Sequence, residues 1–227
     1  MLKAVIFDFD GVIADTEPLH LKSFQLTLEE KGMELSEEEY ARDYLAYDDK
    51  TFFKEIFKDR NFEHDESMIE EFIARKSHYF NNILSGNILI MEGVPDFISM
   101  LGGRFPLSIG SGAFRSEIVE ILKYAGLREY FDIIVSADDV VNCKPDPEVF
   151  LKVLEQLNQM DSVNTKIEAG DCLVIEDSVS GVEAARLAGM KCLAVTNSYD
   201  RDKLSKADLI TDSLKTLLIR QIEELFY

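Results

Sequence analysis

The chain has 227 residues, with 24 Lys and Arg against 43 Asp and Glu and a formal net charge of −19. That length suits one domain with a sizeable insertion, and a content of 46% apolar residues is enough to bury a core. The acidity argues against nucleic acid, whose phosphates are held by clustered Lys and Arg, and against an anionic membrane surface.

No apolar run approaches the roughly 18–20 residues of a membrane helix. The short apolar stretch at the N-terminus soon meets Asp8 and Asp10, unlike a signal peptide. Cys143, Cys172 and Cys192 are odd in number and follow no metal spacing, so they read as free thiols. These features predict a cytoplasmic protein.

In chain order, Val5–Phe9 is a compact apolar run and predicts the first strand. Residues 16–90 read as helical throughout: Leu21, Phe24 and Leu28 share one face, and Met68, Ile69, Phe72, Ile73 and Phe80 another. Much of the acidity lies there, residues 29–72 holding 16 acids against 6 bases. Short apolar strands follow at 107–109, 133–135, 173–175 and 193–195. Helical stretches are predicted at 114–125, 147–158, 179–189 and 214–225.

Apolar strands alternating with helices predict a doubly wound, Rossmann-like α/β fold, with a parallel sheet covered on both faces. The helical stretch is then an insertion after the first strand. The expected domains are a core of residues 1–15 and 91–227 and a helical cap of residues 16–90, with Gly86 and Gly93 as candidate hinges.

In such folds, ligands bind beyond the carboxyl ends of the strands. Asp8, Asp10 and Gly11 follow the first strand, and Ser111 and Gly112 the second. Lys144 follows the third after a short loop, and Glu176 and Asp177 follow the fourth. Carboxylates converging on one sheet edge repel each other unless a divalent cation sits among them, and oxygen-only ligands favour Mg²⁺. A lysine and a hydroxyl nearby would hold an anion that the carboxylates alone would repel. Carboxylate nucleophile, metal, lysine and hydroxyl together describe phosphoryl transfer through an aspartyl-phosphate.

Asp8-Phe9-Asp10-Gly11-Val12 resembles the first motif, D-x-D-x-[VT], of the haloacid dehalogenase superfamily. Ser111 after an apolar strand resembles its second motif, Lys144-Pro145 its third, and Glu176-Asp177 with the run to Ala185 its fourth. The four motifs in order cover essentially the whole chain. The helical insertion resembles the C1 cap of the subgroup that contains β-phosphoglucomutase and many sugar-phosphate phosphatases.

The resemblance implies Asp8 as nucleophile and Mg²⁺ ligand. It implies Asp10 as general acid and base, lending its backbone carbonyl to the metal. Asp177 would be a ligand, and Glu176 a ligand or its support. Ser111 and the Gly112 N–H would bind phosphoryl oxygens, and Lys144 would neutralise charge on Asp8 and the phosphoryl group. In the cap, His20 and Lys76 resemble positions of β-phosphoglucomutase that engage the substrate and the acid/base. Lys50, in the loop from Ala46, and Arg115 are further candidate substrate cations. Blander readings stand beside these: His20 as a satisfied helix histidine, Asp48-Asp49-Lys50 as a helix start, and Ser178 as an N-cap.

Dehalogenases resembling the family's namesake lack an aspartate at the position of Asp10, so Asp10 favours phosphotransfer. β-Phosphoglucomutase carries a lysine and an asparagine shortly after its serine. Here Ser111-Gly112-Ala113-Phe114-Arg115-Ser116 has Arg115 and no asparagine, closer to the subgroup's phosphatases. The expected function is a Mg²⁺-dependent phosphatase of a small phosphorylated metabolite, a sugar phosphate, acting as a monomer. The alternatives are a phosphomutase and a non-catalytic binder of a phosphorylated ligand.

Overall fold

The computed structural model describes residues 1–227 except Ala46, residues 85–88, Ser162 and Asn164. The chain divides into two compact units, Met1–Asp15 with Leu89–Tyr227, and Thr16–Ile88.

In chain order, the first unit begins with β1 (Ala4–Phe7) and β2 (Ala14–Asp15). The inserted unit follows. It contains α1 (Glu17–Glu29), α2 (Glu37–Glu39) running into a π-turn at Tyr40–Tyr44, α3 (Asp49–Asp59) and α4 (Glu66–Leu84). The first unit resumes with β3 (Leu89–Ile90), α5 (Val94–Gly102), β4 (Leu107–Gly110), α6 (Arg115–Tyr124) and β5 (Phe131–Val135). It closes with α7 (Glu148–Leu157), β6 (Cys172–Glu176), α8 (Val179–Leu187), β7 (Lys191–Val195), β8 (Leu209–Thr211) and α9 (Ile219–Glu223).

The main sheet has six strands in the order β5-β4-β1-β6-β7-β8, and every pairing is parallel. This is the doubly wound architecture expected. β1 lies in the interior of the sheet, so Ala4, Val5, Ile6 and Phe7 are all fully buried. Alternate side chains of a strand serve opposite faces. Ala4 and Ile6 join a core with Phe150, Val153, Val174 and Val182, while Phe7 packs edge-on against Phe97 and Phe131. A continuous apolar run is what a strand buried on both faces requires.

The structure differs from the sequence reading in several places, among them α5 (Val94–Gly102), a helix the sequence reading did not include. β1 ends at Phe7, and buried Phe9 sits in the turn beyond it. Ala14–Asp15 and Leu89–Ile90 form a two-stranded antiparallel ribbon, too short to show a period. β8 adds a sixth strand beside β7. The predicted helix at 214–225 is broken: Leu214, Leu217 and Ile222 are buried but Leu218 is exposed, a spacing that one continuous helix cannot satisfy. Gly93 starts α5 at φ +83, and a Cβ there would lie 2.6 Å from Lys215 Cα, so this glycine permits a close approach. Gly86 lies outside the described residues.

The inserted unit has its own core, rich in aromatics: Phe24, Phe52, Phe53, Phe57 and Phe72 with Tyr40 and Tyr44. Phe24 stacks on Phe52 with centroids 3.8 Å apart. Such pairs add about 0.5–1.5 kcal/mol each beyond area burial. Among the described residues, no helix is long and apolar enough to cross a membrane.

Candidate active site

Parallel register assembles the site. Phe7 pairs with Ile109 on one side and Ile175 on the other, so β1, β4 and β6 end level. Asp8 N–H donates to the Ile175 carbonyl at 2.8 Å, and Ser111 N–H to the Val135 carbonyl at 3.0 Å. Residues that the sequence separates by 168 positions thereby share one sheet edge.

Asp8, Glu176 and Asp177 are buried, and each offers a carboxylate oxygen within 4.8 Å of the others. Lys144 Nζ donates to Asp8 Oδ1 at 2.8 Å and to Glu176 Oε1 at 2.7 Å. Its ammonium also lies 4.8 Å from the Phe150 ring centroid, a cation–π contact. Burial, then the charge of Glu176, pushes the Asp8 carboxyl well above its usual range, against the pull of Lys144. Asp177 is raised for the same reasons, with Asp8 adding to the repulsion. Burial works against the charge on Lys144, but Asp8 and Glu176 outweigh it and hold the amine above its ordinary range. Three buried carboxylates against one ammonium form an all-oxygen donor set with uncompensated negative charge. That chemistry fits a hard divalent cation.

Glu176 is the most tightly held of the three. Its Oε1 accepts from Lys144, and its Oε2 accepts from Asp177 N–H, Ser178 N–H and Ser178 Oγ, each at 2.9 Å. Ser178 also caps α8, its Oγ accepting from Gly181 N–H at 3.0 Å. A Cβ on Gly181 would fall 1.7 Å from Glu176 Oε1. Glycine in the first turn of α8 is therefore what gives Glu176 its place.

Asp10 is half-buried in the turn that follows β1, where its backbone bridges to Ala14. Its charge bears on Asp8, though its carboxylate is not among the three clustered ones. Ser111 is buried, and its Oγ accepts from Ala113 N–H at 3.0 Å, while Gly112 is exposed. Arg115 turns to β5 and the turn after it: its guanidinium donates to the Ile134 carbonyl at 2.7 Å and to Asp139 Oδ2 at 2.6 Å.

The inserted unit brings His20, Lys76 and Asp49 together. Lys76 is fully buried. Its Nζ donates to His20 Nδ1 at 2.7 Å and lies 3.0 Å from Asp49 Oδ2. It also sits about equally over the rings of Phe24 and Phe80, at 5.2 and 5.1 Å. With Lys76 as donor, His20 must present an unprotonated Nδ1. Lys50 is not in this cluster; it is exposed and pairs with Glu66 at 3.1 Å. Asp48 caps α3, accepting from Lys50 and Thr51 N–H, so the helix-start reading describes that residue. Ala46 lies outside the described residues.

Two residues at the first unit's site were not singled out from the sequence. Ser198 Oγ donates to Asp177 Oδ2, and Asn197 Nδ2 donates to the Gly11 carbonyl at 2.6 Å. Both follow the predicted strand 193–195, so reading every strand end would have found them. Phe150, beneath Lys144, carried no signal beyond its apolar helix face.

The sheet, its strand-end acids and the lysine among them define a doubly wound α/β protein with an acidic site at one sheet edge, and comparison with known proteins places it further. The family described as haloacid dehalogenase-like hydrolase matches residues 5–195, and the chain belongs to that family of enzymes. It is 33% identical over 194 residues to the phosphorylated carbohydrates phosphatase of Thermotoga maritima, covering 84% of this chain and 83% of that one. It is 28% identical over 193 residues to the fructose-1-phosphate phosphatase YqaB of Escherichia coli, covering 84% of this chain and 95% of that one. In structure it is similar to β-phosphoglucomutase from Clostridium difficile, with a TM-score of 0.84 and 24% identity over 100% of this chain and 97% of that one, a likeness of fold.

Proposed function

We propose that the protein is a phosphomonoester hydrolase acting on a small phosphorylated carbohydrate, with Asp8 as nucleophile. The observation that carries this reading is the buried Asp8 carboxylate at the end of β1, bonded to Lys144 and clustered with Glu176 and Asp177. The phosphatase of phosphorylated carbohydrates at 33% identity supports the substrate class.

The Asp8 carboxylate attacks phosphorus as the bond from phosphorus to the ester oxygen breaks. Asp10 gives a proton to the departing oxygen, so the organic part leaves as an alcohol. The phosphoryl group is then carried on Asp8 as an acyl phosphate. Water attacks phosphorus, losing its proton to Asp10; inorganic phosphate leaves and the Asp8 carboxylate is restored. Lys144 offsets charge on Asp8 and the phosphoryl oxygens, and Ser111 with the Gly112 N–H donates to those oxygens. Asp8, Asp177, Glu176 and the Asp10 carbonyl would hold Mg²⁺. When bound, the ion supplies Lewis-acid polarisation of the phosphoryl group.

A mutase must bind a sugar bisphosphate and needs cations beyond those facing the transferring group. The candidates already have carboxylate partners: Arg115 has Asp139, Lys50 has Glu66 and Lys76 has Asp49. That balance supports water as the acceptor. A monomer in a reducing cytoplasm completes the reading, in keeping with an odd number of cysteines, of which Cys172 and Cys192 are buried.

The deciding experiment is phosphate release from a panel of sugar phosphates with Mg²⁺, comparing wild type with Asp8→Asn. Equal rates would remove the catalytic reading. Conversion of glucose 1-phosphate to glucose 6-phosphate without free phosphate, given a trace of the bisphosphate, would replace hydrolase with mutase.

A further inference from the structure

The segment beyond β7 opens with Thr196-Asn197-Ser198, and Ser198 reaches the acidic cluster and Asn197 the neighbouring turn from a strand that supplies none of the carboxylates. Ser198 Oγ donates to Asp177 Oδ2. Asn197 Nδ2 donates to the Gly11 carbonyl at 2.6 Å. Adjacent side chains thus hold two walls of one site, the Asp177 carboxylate just past β6 and the turn after β1 that contains Asp10 and Gly11.

The packing there is close. Gly11 adopts φ +71, and a Cβ on it would lie 1.9 Å from Asp177 Oδ2 and 3.0 Å from Ser198 Oγ. Only a bare backbone lets the turn, the carboxylate and the hydroxyl meet. The terminal torsion of an aspartate is broad unless its oxygens are held. Asp177 makes its backbone bond to Glu176 Oε2, which fixes the main chain but not that torsion. Ser198 fixes the carboxylate itself.

We propose that Ser198 is a positioning residue for Asp177, and that the Asn197–Ser198 pair presets the acidic cluster for a divalent cation. This rests on the metal-dependent reading above. Hydrogen-bond partners that orient metal-ligating side chains typically account for about 10–100-fold in metal affinity. Ser198 is exposed as a residue, so truncating it opens no core cavity.

The test is Mg²⁺ binding to the full chain by isothermal titration calorimetry, with the melting temperature of the metal-free protein as the control for folding. Ser198→Ala weakens Mg²⁺ binding about 10-fold and leaves the metal-free melting temperature unchanged. Ser198→Thr keeps the hydroxyl and the wild-type affinity. Ser198→Cys, nearly the same size with a weak donor, falls with the alanine variant. Asn197→Ala shifts affinity in the same direction. Wild-type affinity in Ser198→Ala, or a Ser198→Thr variant as weak as alanine, overturns the proposal and leaves the metal reading standing. A wild type that binds no Mg²⁺ overturns both.

Discussion

Each unit of this protein sets a lysine against aromatic rings, Lys76 fully buried and Lys144 half-buried, and the two lysines are in opposite electrostatic situations. Lys144 lies over Phe150 and faces Asp8 and Glu176, with Asp177 beside them. Among the described residues, Lys76 lies over Phe24 and Phe80 and faces the Asp49 carboxylate and the His20 imidazole. The first cluster carries more negative charge than its lysine offsets. The second is balanced. Burying a charge is costly unless it is paired, so the balanced cluster is stable as it stands, while the excess-charge cluster would be stabilised by a further cation. Chemistry is expected at the unbalanced site, and positioning or recognition at the balanced one.

The sharpest way to break this contrast is to remove the nucleophile. Asp8→Asn is expected to lower phosphate release at least about 10⁴-fold, measured on the best substrate of the panel. An equal loss from Lys76→Met would place chemistry in the inserted unit as well and end the distinction. Lys144→Met is expected to cost the metal-free protein about 3–5 kcal/mol, because it leaves buried carboxylates without their cation. Denaturant unfolding with and without Mg²⁺ checks this, and Mg²⁺ is expected to restore part of the loss by binding the folded state alone.

Gly181→Ala tests the cradle of Glu176. In an ordinary helix the change helps by nearly 1 kcal/mol. Here the new methyl collides with Glu176 Oε1, and a net loss of about 1–3 kcal/mol is expected from the same unfolding measurement. Lys76→Met keeps the contact with the two rings but strands Asp49, at a cost of about 1–3 kcal/mol. Adding Asp49→Asn is expected to recover most of it; a double variant no better than the single one would show that the pair is not the balanced unit described. The smallest effect is expected from Lys50→Ala, whose partner Glu66 is exposed, with no measurable change in melting temperature.

The site in the first unit was largely legible because its residues follow apolar strands directly. Asp8, Ser111, Glu176 and Asp177 each stand at or just past a run that could be recognised as buried β-structure. Lys144 was found by its motif, and the structure shows why it works at a distance from its strand: the loop returns its ammonium to Asp8. Arg115 was legible as a cation but not as one bonded to Asp139, because ion-pair partners depend on how loops fold. In the inserted unit, the helical period located the aromatic core. It could not show that Asp49, one residue past a helix cap, faces Lys76 from another helix.

The sequence by itself determined the layer architecture and the chemical inventory of the candidate site, because burial on both faces writes continuous apolar runs and strand ends follow from them. Only the tertiary structure decided which charges meet. The level ends of β1 and β6 set three carboxylates against Lys144, and glycines at 11 and 181 admit Asp177 and Glu176 at distances that any side chain would forbid. Electrostatic balance is a property of distances of a few ångströms between residues far apart in the chain. Composition showed a net charge of −19 and the strand-end acids within it; the fold determined where that charge is paired and where it leaves room for a cation.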